Sequence, residues 1–496
     1  MKASFLVLTL LASAAVAGAA EPYEIGDILT ANSPSASRSK EWKPSEGIPL
    51  EVSGMDWTPQ GKLAVAIRKG EVWMLDGVLG APDQVKYQLF ASGLHEPLGA
   101  LWDGDGLLVM QRTEMTRLRD TDGDGVADEY LTAGNGWNVS GAYHGYAYGP
   151  RRDGQGNLWV SLNVDMGDHS DNKAPWRGWT GTIGYDGHFQ PMCAGMRSPC
   201  GLGANLAGDM FCVDQQGTWV PTTPIYHLRK GAFFLNPEGI ASENLPNSPL
   251  KLSAKVPEKV PYPEAVHALP EMRVPAVWLP YVKMGRSGTD LAVCNAGGKF
   301  GPFDGQMMVA EFTDAKVSRV FMEKVDGEYQ GAAFPFLSGF ASGIVRLLFA
   351  PDGSLFAGMT SRGWSSLGTK SYGLQRVRWN GTMPFAIREM HALPDGFELV
   401  FTLPVDPTTA ASPASYSMTN YTYLYSGAYG SDEIQTQPNA ITSVTVSDDH
   451  LRVHLKVDGR RELYVHELHC NGVRSSNAAR LDHADAYYTL NRIPKS

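Results

Sequence analysis

Apolar residues fall in short clusters along this chain, each followed by a Gly- or Pro-containing turn and then a second apolar cluster that ends in polar side chains. Six copies of this pair can be set beneath one another: Gly54–Trp57 with Gly61–Val65, Leu98–Trp102 with Gly106–Val109, and His144–Tyr148 with Gly156–Val160, then Gly201–Ala204 with Gly208–Cys212, Gly288–Ala292 with Gly305–Val309, and Val345–Phe349 with Gly353–Ala357. A spacing of about 40 to 50 residues suits four-stranded propeller blades, none of which buries its apolar faces without its neighbours. The pattern therefore predicts an all-β chain with a six-bladed β-propeller over 21–382. Pro-rich sequence from Val256 to Pro280, in the longest gap, reads as an elaborated loop. After Trp379 the pattern becomes strict alternation, as in Phe397–Phe401 and Leu451–Leu455, which predicts a separate immunoglobulin-like β-sandwich over 383–496.

The chain opens with Met1-Lys2, an apolar run from Phe5 to Val16 and small residues Ala17 to Ala20. That layout predicts a cleaved export signal over 1–20 and a periplasmic or secreted protein, not an integral membrane one. The 54 glycines, 32 prolines and 12 tryptophans agree with a turn-rich β fold, and a net charge of −10 argues against a nucleic-acid partner. An odd count of five cysteines leaves at least one thiol unpaired. Cys193 and Cys200 are spaced to bridge a short loop, or the cysteines serve as small buried apolar residues. The sequence lacks a haem-attachment C-x-x-C-H and a C-x-x-C pair for zinc.

In an up-and-down blade the start of the first strand and the end of the second share one face, so that face can be listed from sequence. The starts carry His95, Glu96, His144, Arg197, Arg286 and Ser342, and the ends carry Arg68, Arg112, Asn163, Asp214, Glu311, Thr360 and Arg362. So many arginines, with histidines and acids, suit a polar or anionic ligand over the central channel, although such charges also cross-pair between blades. His144 is the candidate base and Arg197 the candidate carboxylate or oxyanion holder. Tyr143, Trp176, Trp179, Trp219 and Trp364 are candidate stacking surfaces for a sugar ring, or core. A second motif runs from Asp120, where Asp120, Asp122, Asp124, the Val126 carbonyl and Asp128, with Gly125 at the sixth position, match the start of a calcium loop. Leu131 stands where such a loop places its bidentate Glu.

Three stretches, Gln111–Arg119 leading into the Asp-rich loop, Arg197–Gly203 and Gly297–Phe303, resemble the soluble glucose/sorbosone dehydrogenase superfamily. They look most like the membrane-bound-dehydrogenase-like exported propellers of planctomycetes and verrucomicrobia. Further similarity runs through Phe321–Gly327, Arg362–Trp364 and Tyr488–Pro494. The resemblance implies a quinone-dependent sugar dehydrogenase that uses pyrroloquinoline quinone. In it a His base takes the proton of a sugar hydroxyl while hydride passes to the quinone, and a redox partner such as a cytochrome takes the electrons. It implies those roles for His144 and Arg197. The chain departs from the family at Ser198 for an Asn, Asn163 for an acid and Thr313 for a quinone-holding Lys, and Arg346 lies one place from a quinone-binding Arg. Two other readings stand beside this one: a cofactor-free glycan lyase or hydrolase using His144 with Glu311 or Asp214, and a non-catalytic propeller that binds carbohydrate or protein.

Overall fold

The structure, a computed structural model, describes residues 21–29, 50–166 and 174–495. The expected export signal at 1–20 lies outside them. Every repeat folds as antiparallel strands that step outward from a common axis. Five sheets of four strands stand alone. The first holds Val52–Trp57, Leu63–Ile67, Glu71–Asp76 and Lys86–Ala91, and the second Ala100–Asp103, Gly106–Met110, Met115–Arg119 and Glu129–Gly134. The third begins with Ala147–Arg152 and the fourth with Gly201–Ala204. The last holds Ile344–Phe349, Leu355–Thr360 and Tyr372–Trp379, completed at its outer edge by the N-terminal strand Tyr23–Asp27, in register Tyr23 to Trp379 through Asp27 to Gln375.

The strands of the fifth repeat, Gly288–Val293, Met307–Glu311, Lys316–Val325 and Glu328–Leu337, are not a separate sheet. Six stand-alone blades were expected and five are seen, because Asp485–Leu490 pairs with the outer edge of this repeat, Gly331 opposite Thr489 and Ala333 opposite Tyr487. A single twelve-stranded sheet then continues through the C-terminal strands. The immunoglobulin-like sandwich is accordingly not shown as a body of its own. Its alternation is nevertheless present: Val453, Leu455 and Val457 are buried while Arg452, Lys456 and Asp458 are exposed. They pack with Phe397, Leu399 and Tyr488 on Ala332 and Phe334 of the fifth repeat. His391 clasps the two parts, with Nδ1 3.0 Å from Glu323 and Nε2 2.9 Å from Glu389.

The Pro-rich segment is more than a loop. It forms the helix Tyr262–Ala268 and supplies Val277–Leu279 as the outer strand of the fourth sheet. All five cysteines are free and buried, so Cys193 and Cys200 do not bridge and the small-apolar alternative describes them.

Around the axis the innermost strands touch in order, and that of the last repeat touches that of the first. Their approach requires missing side chains: a Cβ on Gly99 would lie 1.7 Å from the Gly149 carbonyl oxygen of the next sheet. Second strands such as Leu63–Ile67 and Gly106–Met110 are buried at every position because sheets cover both faces, so they read as continuous apolar runs. At the centre lies Arg346, wholly buried. Its Nη2 donates to Leu98 O at 2.7 Å, and its Nη1 to Val345 O at 2.7 Å, Thr289 O at 3.3 Å and Cys200 O at 3.4 Å. Burial opposes its charge most strongly, but Asp290, Cys200 and Tyr148 together outweigh it and raise the pKa.

Removing that guanidinium strands four carbonyls and deprives the buried Asp290, which keeps the Leu347 N–H at 2.9 Å, of its main cationic neighbour. Arg346→Met is expected to lower unfolding stability by about 3–5 kcal/mol, read as an earlier midpoint in urea. A wild-type midpoint would refute the role.

Candidate functional site

Over the arginine plug the axis opens into a cavity of about 310 Å³ lined by residues from several repeats. Five residues expected at the strand ends meet there: Arg68, His144, Asn163, Arg197 and Thr360. Ser198 and Thr313, two of the departures from the family pattern, line it as well.

His144 does not open a strand, as the sequence reading had it, because the strand begins at Ala147. It sits half-buried in the preceding turn, which Arg112 holds by donating to Tyr143 O at 2.6 Å and Ala142 O at 3.3 Å. Glu96 in turn accepts from Arg112 Nε at 2.7 Å and is ion-paired with Arg68. Burial works against ionised Glu96, yet the two arginines hold its pKa below the usual carboxylate value. Glu96 and Arg112 thus stand behind the cavity wall as its frame. Burial, then the Arg197 and Arg112 charges, lower the pKa of His144. The imidazole is therefore neutral near pH 7 and able to accept a proton.

Arg197 is set by its own backbone. Asp214, completely buried, accepts from the N–H groups of Arg197 at 2.8 Å, Ser198 at 2.6 Å and Gln215 at 2.8 Å. Burial raises Asp214 to about 6 against those hydrogen bonds. Among the described residues the Arg197 side chain makes one hydrogen bond, Nη1 to Ser198 Oγ at 3.3 Å, and has no carboxylate in ion-pair range. Asn163 Nδ2 approaches the same hydroxyl at 3.5 Å, while its buried Oδ1 has no partner.

The charged residues Asp214, Glu311, Arg286 and Arg362, also expected on this face, do not line the cavity. Glu311 is turned inward and accepts from the N–H groups of Arg286 at 2.9 Å, Ser287 at 2.6 Å and Asp314. It and Asp214 are turn anchors, so neither is placed as an acid partner for His144. Arg286 faces Asp314 at 3.3 Å, and Arg362 is ion-paired with Glu51. What Arg362 gives the site is its carbonyl, which accepts from Arg68 Nη1 at 2.6 Å.

One wall is aromatic. Trp364 lies 5.9 Å from His144 and 6.0 Å from both Tyr143 and Tyr146, and Arg68 stacks over Trp364 at 5.6 Å. Of the other candidates in that set, Trp176 and Trp179 are core residues and Trp219 packs partly buried against the core. Sequence reasoning missed Tyr429, which reaches the cavity from the C-terminal region, and no motif marks it.

Comparison with known proteins comes down to one family and a set of folds. Residues 75–274 match the family described as Domain of unknown function (DUF7133). No curated protein matches the chain. Solved structures similar to it include the PQQ-bound form of the aldose sugar dehydrogenase from Streptomyces coelicolor, 12% identical, with a TM-score of 0.47, covering 72% of this chain and 98% of that one. The soluble aldose sugar dehydrogenase from Escherichia coli is 13% identical, with a TM-score of 0.46, covering 72% and 100%. The PQQ domain of the pyranose dehydrogenase from Coprinopsis cinerea is 13% identical, with a TM-score of 0.48, covering 72% and 96%. No helix among the described residues is long and apolar enough to cross a membrane.

The Asp-rich loop lies apart from the cavity, after the third strand of the second sheet. Asp120, Asp122 and Asp124 offer carboxylate oxygens within 4.8 Å of one another. Asp128, the fourth expected acid, is engaged elsewhere, accepting from Thr121 Oγ1 at 2.7 Å and from its N–H at 3.2 Å.

If His144 is the base, turnover is flat above neutral pH and falls as pH drops through a value below the ordinary histidine pKa of about 6.5. His144→Ala is expected to cost about 100-fold or more in turnover. A pH–rate profile on both proteins checks this, and an unchanged acidic limb in the variant would show that another group titrates.

Proposed function

We propose that this chain is an exported sugar dehydrogenase-type oxidoreductase built on a six-bladed propeller. In this reading the leading four strands of the twelve-stranded sheet serve as the remaining blade. Residues 21–382 form the ring, and 383–496 a sandwich that buttresses it. The observation that carries the reading is the pairing, on one axial cavity, of a neutral His144 with an Arg197 that has no ion pair among the described residues. A sugar or similar polar substrate rests against Trp364 and Tyr146, and His144 takes the proton of its hydroxyl while Arg197 steadies the developing negative charge.

Pyrroloquinoline quinone, a planar tricyclic carboxylate, suits this donor set. Arg197 presents a guanidinium without a carboxylate partner, Asn163 and Ser198 adjoin it, and Tyr146 and Trp364 offer flat apolar surface. Those residues would hold the quinone, which when bound supplies a carbonyl that accepts hydride. A soluble redox protein such as a cytochrome would then receive the electrons.

One observation favours the cofactor-free reading on the same face. Among the described residues that line the cavity, Arg68 is ion-paired with Glu96, which Arg112 shares, and Arg197 is the cation without a carboxylate in ion-pair range. That charge matches a ligand with a single carboxylate, such as a uronate in an acidic glycan.

The test is a mass-spectrometric and absorbance search for quinone in protein purified from a host that makes it, with dye reduction across sugars after reconstitution with quinone and calcium. Bound quinone and a sugar-dependent rate, lost in His144→Ala, are expected. Absence of both, with cleavage of acidic oligosaccharides that needs His144, would replace the dehydrogenase with the lyase or hydrolase. Binding of glycans without turnover would make the propeller a receptor.

Calcium belongs to the same proposal as a structural ion on the Asp-rich loop. Asp120, Asp122 and Asp124 fit a hard cation, with the Val126 carbonyl the next oxygen in the loop, and Asp128 fits only by leaving Thr121. Calcium is expected to raise the melting temperature by a few degrees, and Asp122→Asn to abolish that shift. A shift of equal size in the variant would move the ion elsewhere.

A further inference from the structure

The cavity has one contributor that no repeat supplies. Segment 426–431 leaves the C-terminal strands and lies along 217–221 of the fourth repeat. Gly430 N–H donates to Gly217 O at 3.0 Å, Trp219 N–H to Ala428 O at 3.3 Å and Ser431 N–H to Pro221 O at 3.0 Å, with a bridge between Thr218 and Tyr429. Behind it Trp219 packs on Tyr425 at 5.2 Å. These contacts fix the backbone of Tyr429 while its ring stays 67% exposed, so the ring is placed by the loop and not by burial in a core. That ring lies on the Arg197 guanidinium, 5.3 Å from centroid to Cζ.

Gly217, which accepts the Gly430 hydrogen bond, also seats Arg197. A Cβ there would fall 2.0 Å from Arg197 Nε and 2.2 Å from Cζ, so only glycine lets the guanidinium lie against this backbone. The Nε–H is buried there without an acceptor. An arginine with no carboxylate partner is held instead by a backbone surface and an aromatic face, which restrict its position without neutralising its charge.

We infer that Tyr429 is a positioning residue for the axial site, and that segment 426–431 with Gly217 forms a clamp that presents Arg197, still charged, to a carboxylate on the ligand. This rests on the reading of the axial cavity as the ligand site, and it gives the C-terminal region a share in that site. A carboxylate of this kind can belong to the quinone or to an acidic sugar.

The test uses the full chain with three probes, glucuronate, glucose and pyrroloquinoline quinone, followed by calorimetry, and for the two sugars by the part of the intrinsic tryptophan fluorescence change that Trp364→Phe removes. The variants are Tyr429→Ala, Tyr429→Phe and Arg197→Ala. Wild type is expected to bind glucuronate or the quinone at least about tenfold more tightly than glucose, the scale of one lost charged contact. Tyr429→Ala should lose most of that preference by weakening the acidic probes far more than glucose, and Tyr429→Phe, which keeps the aromatic face, should retain it. A merely structural role would weaken all probes together and would not be rescued by Phe. Tighter capture of the quinone assigns the carboxylate to a cofactor, and tighter capture of glucuronate assigns it to a substrate. If Arg197→Ala abolishes the preference while Tyr429→Ala leaves it intact, the clamp is refuted and the axial site stands. If wild type shows no preference, or Arg197→Ala does not change it, the axial reading fails and the clamp with it.

Discussion

The ring depends on how closely its innermost strands approach, and on what fills the space they leave. Where Gly99 passes under Gly149 no side chain can intervene, so the sheets converge until backbone meets backbone. The carbonyls of Leu98, Cys200, Thr289 and Val345 would then face the axis without donors, a cost comparable to several lost hydrogen bonds. Arg346 resolves this with one planar group whose donors fan out to sequence-distant repeats, its charge balanced by Asp290. The plug closes the channel from below and makes its upper part a cavity with a floor. It also removes from ligand chemistry an arginine that sequence comparison had set close to a cofactor role.

Above that floor the site is built in two shells with different duties. Acids form the hidden one: Asp214 and Glu311 collect backbone N–H groups, and Glu96 gathers two arginines. The face they support is left with neutral donors, aromatic rings, His144 and Arg197. Burial and two nearby cations keep the imidazole unprotonated and so free to accept a proton. In the proposed reading, proton acceptance and anion binding are divided between His144 and Arg197, two side chains from neighbouring repeats.

Much of this was legible in the sequence for a simple reason. Paired apolar runs with Gly turns report strand and turn directly, and a repeat determines which strand ends share a face, so the repeat alone puts His144, Arg197, Arg68 and Asn163 together. What sequence could not report was direction. A carboxylate at a strand end looks the same whether it faces a ligand or, like Asp214, folds back onto its own turn. Non-local pairing was equally hidden. Nothing in Asp485–Leu490 says that it extends the fifth repeat, and nothing around Tyr429 says that it docks beside Gly217. The alternation after Trp379 foretold buried strands there but not the sheet they would join.

The outer edge of the last sheet is occupied by Tyr23–Asp27, the first strand of the described chain. An element that leaves the ribosome early therefore has its hydrogen-bonding partner, Tyr372–Trp379, some three hundred and fifty positions later, and the circle cannot be fastened until that partner has arrived. Until then both flanks of the incomplete array expose unpaired edges. Such a molecule resists premature closure during synthesis, and it acquires its full resistance to unravelling in one late step that ties its beginning to its final blade.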